Sequence, residues 1–313
     1  MTYLLFILGF VALGYGASWL IDGAVLLARR FHAPEILIGL TVVAFGTSAP
    51  EFFVNLVASF YGEAEIVVAN IVGSNIANLT LALGGVGMLV AFQVHHGLLK
   101  KEIPLGILGA LAIFFFAQQI GEGELLLSRF AGGVLLLGFL IFLGLIYRDQ
   151  QQHEVSKVEV TSHKLPIAFL LTGGGLLTLA LGGELVVKNA VLIAEQLDFS
   201  QSLVGLTLVA LGTSLPEIVT SLVAVFKRQG DLALGNVIGS NVFNIFWVLG
   251  LSALIKPIVF PADLEIDLLI LIGLNLFLLG AVFWTQRLVL SRTAAALLFV
   301  SYFGYLYFIF LRG

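Results

Sequence analysis

Ten apolar stretches follow one another along the 313-residue chain, at 2–28, 34–61, 64–92, 103–119, 124–147, 165–194, 200–226, 231–256, 266–284 and 292–311. A helix of about 20 apolar residues crosses the roughly 30 Å of hydrocarbon in a bilayer. The pattern therefore predicts an all-α membrane protein with ten transmembrane helices. Only one segment is clearly hydrophilic, RDQQQHEVSKVEVTSHK, the 17 residues from Arg148 to Lys164. It divides the chain into a first five-helix repeat, 1–147, a linker, 148–164, too short for a regulatory domain, and a second five-helix repeat, 165–313. No cleavable signal peptide is apparent, because the first apolar stretch lacks a basic lead-in and runs straight on.

Composition agrees with the pattern: 59% of residues are hydrophobic, 11% are charged and the mean hydropathy is +1.08, which excludes an ordinary soluble domain. The chain has no cysteine, so disulfides, thiol chemistry and thiolate metal sites are excluded. Its net charge of −4 matters less than where the charges sit. With the N-terminus placed outside, eleven basic residues fall on the inner side: Arg29, Arg30, Lys100, Lys101, Arg148, Lys157, Lys164, Lys227, Arg228, Arg287 and Arg292. Only three, Arg129, Lys256 and Arg312, fall on the outer side, while Lys188 lies within a span. This positive-inside asymmetry predicts both termini outside the cytoplasm. Five spans is an odd number, so the halves are expected to be inverted about a pseudo-twofold axis in the membrane plane.

The polar positions inside the apolar stretches repeat. Gly39 to Gly84 returns without a gap as Gly205 to Gly250 at a constant offset of 166, with about 21 of 46 positions identical. The identities gather on small, polar and acidic residues while the apolar positions drift. The register also runs upstream, where Ala24, Leu26 and Ala28 meet Ala190, Leu192 and Ala194. Each copy carries a Pro-Glu pair, Pro50-Glu51 and Pro216-Glu217, within a span.

Proline lacks the N–H that would bond the carbonyl four residues back, so backbone oxygens near 44–47 and 210–213 are expected to leave the helix ladder. Irregular backbone at membrane depth is tolerated where it lines a cavity or is buried in protein. Helical spacing puts Thr47 and Ser48 on the face of Glu51, and likewise Thr213 and Ser214 with Glu217. In the next span Ser74 and Asn78 are four apart, as are Ser240 and Asn244. Two carboxylates with hydroxyls, amide oxygens and carbonyls form an all-oxygen set of the kind that hard cations such as Ca2+ and Na+ take. Acidic residues in spans usually mark ion pathways. Neither motif contains a Lys or Arg, so two facing carboxylates would repel unless cations or protons neutralised them.

Other polar residues read differently. Asn70 and Asn236 either orient the motif or bond across helices, and Asn55 and Ser221 stand one turn beyond each Glu, where they could line the approach. Asp22, Glu184 and Lys188 are placed to snorkel, while Glu63, Glu65, Asp263, Glu265 and Asp267 are expected in solvated loops at outer span ends. His95 and His96 read as a solvated turn.

At GTSAPE…GSNIAN and GTSLPE…GSNVFN the sequence resembles the alpha repeats of the sodium/calcium exchanger family, within the cation/calcium exchanger superfamily. The likeness covers the whole chain and is of the prokaryotic type, with ten spans, inverted halves and a short linker. It implies a secondary antiporter that exchanges Na+ for Ca2+ by alternating access and extrudes Ca2+ across the plasma (inner) membrane. It further implies that Glu51 and Glu217 hold Ca2+ and share Na+ sites, completed by Thr47, Ser48, Ser74, Asn78, Thr213, Ser214, Ser240 and Asn244. Backbone carbonyls of Ala44, Thr47, Ala210 and Thr213 would contribute, and the first and sixth spans would slide across the remaining bundle. The potassium-dependent branch of the family carries Asp at the place of Asn244, so transport independent of K+ is expected. H+/Ca2+ exchange stays open as the alternative, and a cation channel is a second class, though one chain supplies both halves of the site. No HExxH, no Asp pair on adjoining spans and no Ser with an intramembrane His base is present, so an enzyme is not expected. Beyond Ca2+, Na+ and the bilayer, neither cofactor nor nucleic acid is expected, and the chain should work as a monomer.

Overall fold

A computed structural model describes residues 1–94, 101–120, 124–150, 165–196, 210–260, 264–285 and 288–312. In chain order its helices are α1 (Thr2–Phe31), α2 (Glu35–Thr47), α3 (Ala49–Tyr61), α4 (Ala64–Leu89), α5 (Ile103–Phe116) and α6 (Arg129–Gln150). They continue with α7 (Leu165–Gln196), α8 (Ala210–Thr213), α9 (Leu215–Phe226), α10 (Gly230–Ile255), α11 (Glu265–Trp284) and α12 (Arg292–Arg312). Seven of these, α1, α4, α6, α7, α10, α11 and α12, are long and apolar enough to cross a membrane, and α2 with α3 makes an eighth as one bent span. The sequence count of ten exceeds this because α5 has only 14 residues and α9 only 12. Residues 197–209, where the seventh apolar stretch begins, lie outside the described residues, as do 151–164 of the linker, His95, His96 and Asp263.

The chain is nearly all helical, with small strands at helix ends. The stretch expected as helix to residue 119 stops at Phe116 and continues as β2 (Ala117–Ile120), antiparallel to β3 (Glu124–Leu127), which pairs in turn with β4 (Ile258–Phe260). Gln118 and Gln119 end the apolar run there, and the sequence between β2 and β3 is Gly-Glu-Gly, so the apolar pattern that predicts a helix to 119 is already broken. A second ladder pairs β1 (Phe92–Gln93) with β5 (Val289–Leu290).

Helices α4 and α10 form the centre, with 78% of each apolar window buried against 22–39% in the other full-length spans. The outer helices turn Leu, Ile and Phe side chains outward, as expected of lipid-facing surfaces. Three further wide-turn segments interrupt the regular α geometry, Gly39–Val43 within α2, Asn78–Gly84 within α4 and Phe243–Leu249 within α10. π turns of this kind gather at functional sites, and hydropathy gives no signal for them.

Two crossings depend on glycine. Helices α1 and α7 run antiparallel in long contact: a Cβ on Gly16 would stand 2.8 Å from the Leu179 backbone nitrogen, and one on Gly175 2.5 Å from that of Leu20. Helix α2 meets α10 as closely, since a Cβ on Gly235 would stand 2.6 Å from the Ile36 carbonyl oxygen. Small residues let backbones approach in lipid, where dispersion takes over from the hydrophobic effect.

Candidate cation site

The Pro-Glu pairs break their helices where the sequence places them. Pro50 sits in the first turn of α3 and Pro216 in that of α9, and α2 and α3 are bent by 48° at Ser48. Glu51 and Glu217 thus lie in the first turns of α3 and α9, where the positive ends of the helix dipoles favour a carboxylate. Both are fully buried.

The break redirects the hydroxyls. Ser48 and Ser214 occupy N-cap positions, yet neither caps its own helix. Ser48 Oγ donates to Glu217 Oε1 at 2.7 Å, and Ser214 Oγ donates to Glu51 Oε1 at 3.5 Å. Spacing alone grouped each serine with its own glutamate; the bend at the cap turns it toward the glutamate of the other copy. Ser240 Oγ approaches Glu217 Oε1 at 3.5 Å and the Ala44 carbonyl at 3.4 Å, an oxygen that also accepts the Thr47 hydroxyl at 3.3 Å. Ser74 Oγ lies 3.5 Å from Thr213 Oγ1. Asn78 and Asn244 are fully buried in α4 and α10. Of the expected ligands, Ala210 is described only through its place in α8.

Asn236 braces the Glu217 side: its Oδ1 accepts from Thr47 Oγ1 at 3.0 Å, while its Nδ2 donates to Ser221 Oγ at 3.0 Å and to the Glu217 carbonyl at 3.2 Å. On the Glu51 side Asn55 Nδ2 donates to the Glu51 carbonyl at 2.7 Å and to Asn70 Oδ1 at 2.9 Å. Asn70 Nδ2 reaches Thr213 Oγ1 at 3.4 Å. Asn70 and Asn236 thus bond across helices to the threonines, and Asn55 and Asn236 hold the glutamate turns through the main chain.

Each glutamate keeps one oxygen, Oε2, buried and without a hydrogen-bond partner among the described residues. Two ion pairs among the described residues lie elsewhere: Lys227 with Asp22 at 2.6 Å, and Arg312 with Asp267 at 2.6 Å. Buried carboxylate oxygens left without donors or cations are costly, so the pair is suited to a positively charged guest. Among the described residues no three acidic or histidine side chains converge, so hydroxyl, amide and carbonyl oxygens would complete the coordination. That donor set suits hard cations.

Two readings from the sequence change. Asp267 is fully buried in the first turn of α11, not solvated, because Arg312 at the end of α12 reaches it. Asn75 and Asn241, the middle residues of the two GSN triplets, belong to the buried α4–α10 contact and were passed over. They stand three residues before Asn78 and Asn244, the spacing that also groups Ser48 with Glu51, and their identity in both copies is the signal that marks them. Glu63, Glu65, Glu184 and Lys188 are exposed, as expected.

The chain matches the family described as sodium/calcium exchanger protein over residues 1–148 and 167–311. It is 37% identical over 263 residues to the inner membrane protein YrbG of Escherichia coli (strain K12), covering 81% of this chain and 79% of that protein. To the putative antiporter CaxA of Alkalimonas amylolytica it is 34% identical over 314 residues, covering 97% of each. Among solved structures, one of the sodium-calcium exchanger NCX_Mj, soaked with Na+ and Sr2+, is similar with a TM-score of 0.83 at 30% sequence identity, covering 100% of this chain and 99% of that one.

Proposed function

We propose, since this chain belongs to the sodium/calcium exchanger protein family, that it exchanges Na+ for Ca2+ by alternating access and moves Ca2+ out of the cell without requiring K+. It is a multi-pass integral membrane protein, and we place it in a prokaryotic inner membrane with both termini outside the cytoplasm. We read its architecture as ten spans in two inverted halves, 1–147 and 165–313, joined by 148–164 and acting as a monomer. The offset of 166 between motifs and the odd number of spans per half support that reading.

The observation that carries the function is the reciprocal pair of contacts, Ser48 to Glu217 and Ser214 to Glu51. Through it both broken helices contribute to one buried cluster with two carboxylates. In this reading Glu51 and Glu217 neutralise Ca2+, and Thr47, Thr213, Ser48, Ser214, Ser74, Ser240, Asn78, Asn244 and the carbonyls of Ala44 and Ala210 complete the Ca2+ and Na+ sites. Na+ entering in place of Ca2+ satisfies the same carboxylates, which makes exchange the natural mode. Net charge moved per cycle would couple to membrane potential at about 2.3 kcal/mol per charge per 100 mV. With Asn at 244, the centre holds only two acids, the charge of one divalent ion.

Reconstituted protein in Na+-loaded vesicles tests this through radiolabelled Ca2+ uptake on dilution into Na+-free medium. Uptake that follows the Na+ gradient and ignores K+ supports the reading. Uptake driven by a pH gradient and indifferent to Na+ replaces it with H+/Ca2+ exchange, for which the same two carboxylates would carry protons. Uptake that stops when K+ is omitted from both sides removes the K+-independent part.

A further inference from the structure

A carboxamide can bind a cation only through its oxygen, so an asparagine that serves as a ligand must be held the right way round. The oxygen of an amide accepts and its NH2 donates, so its partners decide which way round it stands. Here the partners decide it for Asn78. The main-chain oxygen of Asn75 can only accept, and Asn241 reaches it at 3.3 Å, so the group facing it must be the Asn241 NH2. Asn241 Oδ1 is thereby turned toward Asn78, at 3.1 Å, and only the Asn78 NH2 can meet it. The Asn78 oxygen is then forced to the opposite side. It is buried and has no hydrogen-bond partner among the described residues. Buried polar oxygens nearly always have one.

We infer that Asn241 is a positioning residue, which fixes the Asn78 amide with its oxygen free to ligate the transported cation. The inference rests on the reading of Asn78 as a ligand given above. The repeat assigns the mirror role to Asn75, since 166 residues separate Asn75 from Asn241 and Asn78 from Asn244. That mirror lock is not made in this arrangement. Both side-chain atoms of Asn75 and both of Asn244 are buried without a partner among the described residues. Asn78 is therefore the preset amide and Asn244 the unset one.

The test is a double-mutant cycle in vesicles, with Asn241→Leu made in the native chain and in Asn78→Asp. An aspartate carries oxygen at both ends and needs no orienting. In the native background Asn241→Leu should raise the KM for Ca2+ about tenfold while kcat changes less than about twofold, the pattern of lost binding. In the Asn78→Asp background the same change should move KM less than about twofold. Equal effects in the two backgrounds overturn the inference, because a packing role would be felt in both. Should Asn241→Leu not fold, Asn241→Ser, too short to reach Asn78, is carried through the cycle. Should Asn78→Asp bind Ca2+ but not turn over, stabilisation of the purified protein against heat by added Ca2+ replaces KM, with the same background dependence expected. Native protein that shows no Ca2+ exchange at all removes the function proposed above, an outcome distinct from equal effects in an active protein.

Discussion

Two long contacts join equivalent helices of the two halves, α1 with α7 and α4 with α10, and they are built from different materials. Between α1 and α7 the backbones nearly touch at Gly16, Gly175 and Gly182, and among the described residues no side-chain hydrogen bond crosses. Between α4 and α10 the contact is buried and polar, with Asn78, Asn241 and the Asn75 carbonyl in sequence. A glycine-lined crossing holds by close packing of backbone and apolar side chains. A hydrogen-bonded crossing has one favoured register. The chain therefore pairs an apolar contact held by close packing with a polar contact held by hydrogen bonds.

The largest expected effect comes from the polar centre. Glu51→Gln and Glu217→Gln should each lower Ca2+ exchange at least about 100-fold, close to 2.7 kcal/mol of lost stabilisation, because Gln keeps an oxygen but loses the charge a divalent ion needs. Near-normal Ca2+ flux in either variant would sink the shared site. Next, Gly175→Leu should destabilise the protein by about 1–3 kcal/mol through overpacking, read as a lower melting temperature in detergent. Gly14→Ala on the same α1 should change little, since no atom lies within 4 Å of a Cβ there. If the two melt alike, the glycine crossing is not the close contact described.

Asn236→Ala sharpens the comparison from the polar side. It removes the partner of the Thr47 hydroxyl and of Ser221, at an expected cost of about 1–3 kcal/mol for buried groups left unpaired. Chemical denaturation would measure it, and a cost below the error of the method would mean that water serves the same atoms. The smallest effect is expected at Lys227→Met, which frees Asp22 and the Ser18 carbonyl of α1. The Asp22 side chain is 52% exposed, so the pair contributes at most about 1 kcal/mol, and its loss should leave melting almost unchanged.

Much of the centre was legible because duplication marks it. The Pro-Glu pairs located both helix breaks, and identities in GTS, PE and GSN located the serines, threonines and glutamates of the centre, though not Asn75 and Asn241. What the spacing could not give was the direction of a side chain once the helix was broken. Helical geometry ends at Ser48, so the i, i+3 spacing grouped Ser48 with Glu51 while its hydroxyl meets Glu217. The short strands were missed for a different reason: β3, with three leucines, is apolar enough to extend the helical stretch after it, and β2 (Ala-Gln-Gln-Ile) follows an apolar helix so directly that a hydropathy window averages over it. Asp267 was placed in solvent because its partner, Arg312, is 45 residues away and no local pattern connects them.

The two small ladders bear on how the chain is assembled. Strand β1 from the first half pairs with β5 from the second, and β4 from the second pairs with β3 from the first. Main-chain bonds thus stitch one half to the other in two places, and β1 and β4 stand at equivalent points of the repeat, since Phe92 and Ile258 differ by 166. The halves are woven through each other's edges like the two strips of a basket. Two fragments made separately would each present a strand edge that the other completes.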